Sequence, residues 1–135
     1  MKTIFLFITT FLLSLYSVAQ EHWTVQLNSK TLLTANTEDT VANVVSVNDL
    51  KKGSLIVTYN PGKAENERKR RLAIYGDNDN ELYSKEAFTI SIPTSTLKKW
   101  KHTTSQIKIY TWPALGAEGA NVRLRRVHLC TINFK

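Results

Sequence analysis

The chain has 135 residues, 42% of them hydrophobic and 21% charged, with 18 basic residues against 11 acidic ones, so that its formal net charge is +7 at pH 7. A chain of this length forms one domain with a sizeable core and needs no metal ion to fold. Its single cysteine, Cys130, excludes an intramolecular disulfide. The positive charge favours anionic partners such as envelope lipids, acidic glycans or nucleic acid, although such a charge also simply keeps small domains soluble.

The amino-terminal residues have the pattern of a secretory signal peptide. Lys2 precedes an apolar run over residues 4–16, and the small residues Ser17 and Ala19 follow at the spacing of a cleavage site. The run is shorter than the roughly 20 apolar residues of a transmembrane helix, so no membrane anchor is expected. We expect cleavage after Ala19 and export of residues 20–135, as one domain, to the periplasm or the extracellular medium.

Residues 20–135 are dominated by strand signals. Trp23, Val25 and Leu27 alternate with polar residues, which predicts a strand with one buried face. The residues that follow contain further short segments that are rich in β-branched residues or alternate in the same way, separated by Gly, Asn, Asp and Pro. The predicted strands lie near residues 23–27, 32–33, 41–47, 54–59, 71–75, 88–92, 106–112 and 121–134.

Two segments depart from simple alternation. Residues 95–101 begin with hydroxyl side chains, end with lysines and place Leu97 and Trp100 three apart, which predicts a short capped helix. In the last strand, Val127 and Leu129 fall on the opposite parity from Cys130. A bulge near residues 125–126, or a strand that is covered on both faces at its middle, would explain this change of phase.

These elements predict an all-β fold, a single antiparallel β-sandwich of jelly-roll or Ig-like type with about seven to eight strands and one short helix. The strand parities also predict which side chains form its core. The expected core contains Leu72, Ile74, Phe88, Ile90, Ile92, Ile107, Ile109 and Ile132.

The strand over residues 106–112 gives the candidate binding surface. If Ile107 and Ile109 face the core, then Lys108, Tyr110 and Trp112 stand together on the opposite face. Aromatic rings there could stack on sugars, and the lysine adds a positive charge. Pairing with the next strand as a hairpin would place Arg123 and Arg125 beside this row, as donors for carboxylate, sulfate or phosphate groups. The alternative is that the aromatic residues are covered and belong to the core.

Other constellations give weaker signals. His128 and Cys130 lie two apart on one strand, as the first two ligands of a metal site could, but the apolar neighbours of Cys130 favour a buried structural thiol. Asp77, Asp79 and Glu81 resemble half of a calcium loop, without its glycine and final acid, and are read as a turn. We expect no metal and no cofactor.

The sequence contains no catalytic motif and no nucleic-acid-binding motif. We therefore expect an exported, non-catalytic binding module for an anionic or carbohydrate ligand, such as an acidic glycan or another component of the envelope surface. The alternative is a structural or protein-interaction component of the cell envelope, which should expose an edge strand or an apolar patch. The third hypothesis is an enzyme that uses Cys130 as its nucleophile and a histidine as its base.

Overall fold

The computed structural model describes residues 20–62, 69–114 and 125–135, so the predicted signal peptide lies outside the described residues. The fold is all-β with one short helix. Within these ranges, nine strands and the helix follow one another in the order β1 (His22–Leu27), β2 (Lys30–Ala35), β3 (Val44–Val47), β4 (Ser54–Asn60), β5 (Arg70–Tyr75), β6 (Glu81–Glu86), β7 (Thr89–Pro93), α1 (Thr94–Lys101), β8 (Gln106–Pro113) and β9 (Val127–Phe134).

The strands form two sheets. The four-stranded sheet has the order β2-β1-β4-β7, and the five-stranded sheet has the order β3-β9-β8-β5-β6. All pairs are antiparallel except β3 and β9, which run parallel. The parallel pair departs from the purely antiparallel arrangement that the sequence predicts. The chain leaves β2 at the edge of one sheet and enters β3 at the edge of the other.

One hydrophobic core joins the inward faces of the two sheets. The indole of Trp23 on β1 crosses this core, and its Nε1 donates a 2.9 Å hydrogen bond to the carbonyl of Leu129 on β9. All of the predicted core residues belong to this cluster; Phe88 is partly buried against it and the others are buried. The choice between a jelly-roll and an Ig-like sandwich stays a prediction.

The helix α1 lies where the sequence predicts it, and its last turn contains Lys98, Lys99 and Lys101, as the helix dipole favours. The predicted hydroxyl cap is wrong, because Pro93 occupies the N-cap position and no side chain caps the helix. Thr94 instead holds the helix to the preceding sheet. Its backbone N–H donates to Gly53 O at 2.9 Å, and its Oγ1 accepts from Gly53 N–H at 3.1 Å.

The phase change in the last strand comes from a bulge inside β9, and not from one near residues 125–126. Ile109 pairs with Cys130 and Tyr110 pairs with His128, so Leu129 is the extra residue. Both Leu129 and Cys130 therefore pack into the core, while His128 lies on the outward face. Residues His128 to Ile132 are all buried, so coverage of both faces, the other explanation offered by the sequence, also holds.

Candidate functional site

The outward face of β8 presents the three side chains that the sequence placed together. Lys108, Tyr110 and Trp112 alternate with the fully buried Ile107 and Ile109, and each of the three is half-buried. The aromatic side chains are thus neither core residues nor freely exposed. They form the middle of a surface that β5 and β9 extend on either side.

Tyr110 belongs to a compact group that we call the tyrosine–arginine cluster: Tyr75, Tyr110, Arg126 and Asp79. The guanidinium carbon of Arg126 lies 4.7 Å from the centroids of both tyrosine rings, which is a cation–π geometry. The two rings meet edge to face, with their centroids 5.6 Å apart. Arg126 also donates a hydrogen bond from each terminal nitrogen to Asp79, and each nitrogen lies 3.2 Å from a carboxylate oxygen.

The cluster perturbs the acid–base properties of its members. Partial burial raises the pKa of the Tyr110 hydroxyl, and the nearby charge of Arg126 only partly opposes this effect. The hydrogen bonds that Arg126 donates to the Asp79 carboxylate raise the pKa of Arg126. Tyr110 therefore stays a neutral phenol and Arg126 a fixed cation at any physiological pH. The charge of Arg126 is balanced by Asp79, and its guanidinium already covers both tyrosine rings.

His128 lies beneath the tyrosine–arginine cluster and is only 3% exposed. Its ring meets Tyr110 edge to face at 5.7 Å, and its Nε2 lies 2.8 Å from Thr131 Oγ1. Its Nδ1 has no hydrogen-bond partner among the described residues. Burial lowers the pKa of the imidazole, so His128 is neutral at pH 7. At the bulge its backbone N–H leaves the ladder and donates instead to Glu38 Oε1 at 3.1 Å.

The other end of the surface is less occupied. Trp112 pairs across the strands with Arg71, whose Nη1 donates to Ser84 Oγ at 3.0 Å. The indole of Trp112 makes no hydrogen bond or ring contact with another described residue, and Lys108 forms no ion pair within the described ranges. These two side chains are the free part of the face.

The structure describes only one of the two arginines that are predicted to lie beside this row. Arg123 lies outside the described residues. The side chain of Arg125 is 73% exposed, and its guanidinium is paired with the carboxylate of Glu38. Its charge is therefore already neutralised by a neighbour. The arginine that enters the surface is the next one along the chain, Arg126.

The idea that His128 and Cys130 share one side of a strand is wrong, because the bulge at Leu129 puts them on opposite faces. Cys130 is fully buried, as its apolar neighbours predict, and burial raises the pKa of its thiol to about 12. A buried thiol that stays protonated at neutral pH is a poor nucleophile. The described residues contain no group of three or more His, Cys, Asp or Glu side chains that could bind a metal ion.

Asp77 and Asp79 face different partners. The carboxylate of Asp77 accepts from the backbone N–H of Ser105 at 2.8 Å and from that of Gln106 at 3.3 Å, and the bond from Ser105 lowers the pKa of Asp77. Asp79 binds Arg126. The turn therefore uses its acids to fix the start of β8 and the entry to β9.

Sequence reasoning missed several members of the surface. Tyr75 had a usable signal, because it lies on the opposite parity from Leu72 and Ile74 and must therefore face outward. Arg126 and Glu38 had none, because their contacts join positions that are distant in the sequence.

Comparisons with models of protein families, with curated proteins and with solved structures found no match. The only helix within the described ranges, α1, is too short to cross a membrane.

Proposed function

We propose that this protein is an exported, non-catalytic binding module whose ligand is an acidic glycan. The observation that supports the proposal is the outward row of β8, in which Trp112 and Lys108 stand half-exposed beside the tyrosine–arginine cluster. A flat aromatic side chain covers the apolar face of a sugar ring, and nearby cations bind its carboxylate or sulfate groups.

The roles within the row differ. Trp112 is the stacking platform, with Arg71 beside it as a donor. Lys108, at the other end, supplies a second cation. Between these two ends, Tyr110 and Arg126 contact each other through a cation–π interaction and form the middle of the surface.

A non-catalytic role agrees with the chemistry of the described residues. The neutral, buried thiol of Cys130 opposes the cysteine-nucleophile reading. The side chains of Asp77, Asp79 and Arg126 are engaged in hydrogen bonds within the fold. No general acid and general base among them face a common point, as a catalytic site would require.

The experiment is a glycan array, followed by titration of the sulfated or uronic acid oligosaccharide that binds best. Trp112→Ala should weaken binding about tenfold or more, as is typical of an aromatic residue that contributes a large contact area. Lys108→Gln should also weaken binding, and the loss should shrink as salt is added.

The matched control is Lys99→Gln on α1, which removes the same charge from an exposed position away from the surface. Equal losses for Lys99→Gln and Lys108→Gln would show that only net charge matters. An array without any acidic glycan bound, or unfolding of Trp112→Ala, would also contradict the proposal.

A further inference from the structure

A second surface lies on the open side of the sandwich, between the edge strands β2 and β3. A cleft of about 410 Å³ opens there, which is within the range of small binding pockets. Its floor is apolar and contains Leu27, Leu32 and Val47, and its polar rim includes Lys30, Asp49 and Lys51. This cleft is on a different part of the molecule from the outward row of β8.

The edge of β3 next to this cleft has unused backbone hydrogen-bonding groups. The carbonyls of Asn43 and Val47 face β9, since they accept from Thr131 N–H at 2.9 Å and from Lys135 N–H at 3.0 Å. Successive residues of a strand direct their backbone groups to opposite sides. The N–H and C=O groups of Val44 and Ser46 therefore point away from β9, toward the free edge.

The exposed apolar side chains lie at the same edge. Among the described residues, the exposed large hydrophobic side chains are Val41, at 86%, and Val44, at 36%. Val41 is held outward by a tight turn, in which a carboxylate oxygen of Asp39 accepts from the N–H groups of Val41 and Ala42 at 3.0 and 2.9 Å. An unpaired strand edge is a template for pairing with another chain, and these valines add apolar contact area beside it.

We infer that the free edge of β3 binds an extended segment of a protein partner, which adds as a further strand of the five-stranded sheet. In this mode, main-chain hydrogen bonds to Val44 and Ser46 give affinity, and a side-chain pocket gives specificity. The cleft is that pocket, and its floor accepts one apolar side chain of the segment.

The rim indicates the charge of the segment. Lys30 forms no ion pair with another described residue, and Lys51 meets Asp49 only at 3.9 Å with both side chains well exposed. An acidic residue next to the apolar one would complement these two lysines. A second copy of this chain fits less well, because the pairing strand β3 has no acidic side chain to offer.

The test begins with selection of a random peptide library, displayed on phage, against the purified domain of residues 20–135. The best peptide is then synthesised and titrated. We expect selected peptides with a β-branched or other apolar residue next to Asp or Glu. Binding should slow amide hydrogen exchange at Val44 and Ser46.

Ser46→Pro removes one outward N–H from this edge and should weaken the selected peptide about tenfold or more. Ser91→Pro is the matched control. Ser91 is an exposed serine on the other sheet's edge strand β7, and its N–H also points outward, because Phe88 O and Thr94 N–H face β4. This variant should bind as the unaltered protein does.

Lys51→Glu tests the rim without touching the backbone and should weaken the same peptide. Its control is Lys52→Glu, since Lys52 is exposed but does not line the cleft. Several results would overturn the inference: no selected peptide, equal binding by both proline variants, protection at β7 instead of β3, or a dimer of the chain that Ser46→Pro abolishes. None of these results bears on glycan binding by the β8 row.

Discussion

The outward faces of the two sheets differ in chemistry although they cover the same core. On the four-stranded sheet, Thr34, Thr24, Thr58 and Thr89 form a continuous row across all four strands. No lysine, arginine, aspartate or glutamate lies at the outward positions of these strands as the structure describes them. On the five-stranded sheet, the corresponding face contains tyrosine, tryptophan, arginine, lysine and a buried histidine.

The difference separates two uses of a strand surface. Threonine favours the extended backbone and is readily solvated. The row of four threonines, which we call the hydroxyl row, therefore stabilises the strands without depending on any one residue. The other face contains polar groups that depend on specific partners: the buried His128 on Thr131, and the partly exposed Arg126 on Asp79. Assembling polar groups that need specific partners costs free energy when any partner is missing. We therefore expect this face to serve a function, and we expect none of the hydroxyl row.

The largest effect should come from testing the shared core itself. Ile90→Ala on β7 should lower the free energy of unfolding by about 2–5 kcal/mol, because Ile90 is 1% exposed and its loss leaves a cavity. Its neighbour Ser91 faces outward, so Ser91→Ala should change stability by less than about 0.5 kcal/mol. Urea denaturation of both variants measures the contrast. Similar losses in the two would mean that the inward and outward positions are assigned incorrectly.

A smaller effect should distinguish the two outward faces. Arg126→Ala should cost about 1–2 kcal/mol, because it removes two cation–π contacts and a bidentate ion pair that is partly exposed. Thr89→Ala in the hydroxyl row should cost less than about 0.5 kcal/mol. Thermal and urea unfolding of the pair compares the faces directly. The contrast fails if Thr89→Ala is the more damaging of the two.

The third difference is pH dependence. Burial lowers the pKa of His128, so the folded state keeps the imidazole neutral, whereas the unfolded chain takes up a proton near the ordinary value of 6.5. The unfolded state then binds more protons, so stability should be full above about pH 6.5 and fall as the pH decreases below it. The hydrogen bonds of Asp77 lower its pKa, so this carboxylate contributes only in more acidic solution.

Denaturant unfolding between about pH 8 and pH 5 should show this slope in the unaltered protein and in a control with His102→Gln, since His102 is exposed. His128→Phe should lower stability overall but remove the slope. A slope that survives His128→Phe would assign the titration to another group.

Much of the fold could be predicted because it depends on local alternation. The parities of β7 and β8 identify their buried isoleucines correctly, and the lysines of the last turn mark α1. β6 was missed because it is a polar edge strand with no regular apolar stripe. β3 begins later than its β-branched residues suggest, because the Asp39 carboxylate binds the N–H groups of Val41 and Ala42 in a turn.

The candidate site was only partly predictable. The parity of β8 places Lys108, Tyr110 and Trp112 on one face, but nothing local shows that Arg126 covers Tyr110. The bulge at Leu129 shifts the register by one residue, which places His128 under the surface and Cys130 in the core. Such shifts depend on how two strands fit together, so they cannot be located from one strand alone.

The position of β9 has a consequence for how the chain folds. β9 lies between β3 and β8 and contributes Leu129, Cys130 and Ile132 to the core, yet it is translated after the other strands that the structure describes. Its pairing with β3 joins Val44 to Thr131, which is a contact of long sequence separation. Folding rates fall as contacts become less local, because the loop must close before the pairing can stabilise it. We therefore expect the five-stranded sheet and its side of the core to form only after β9 has been made.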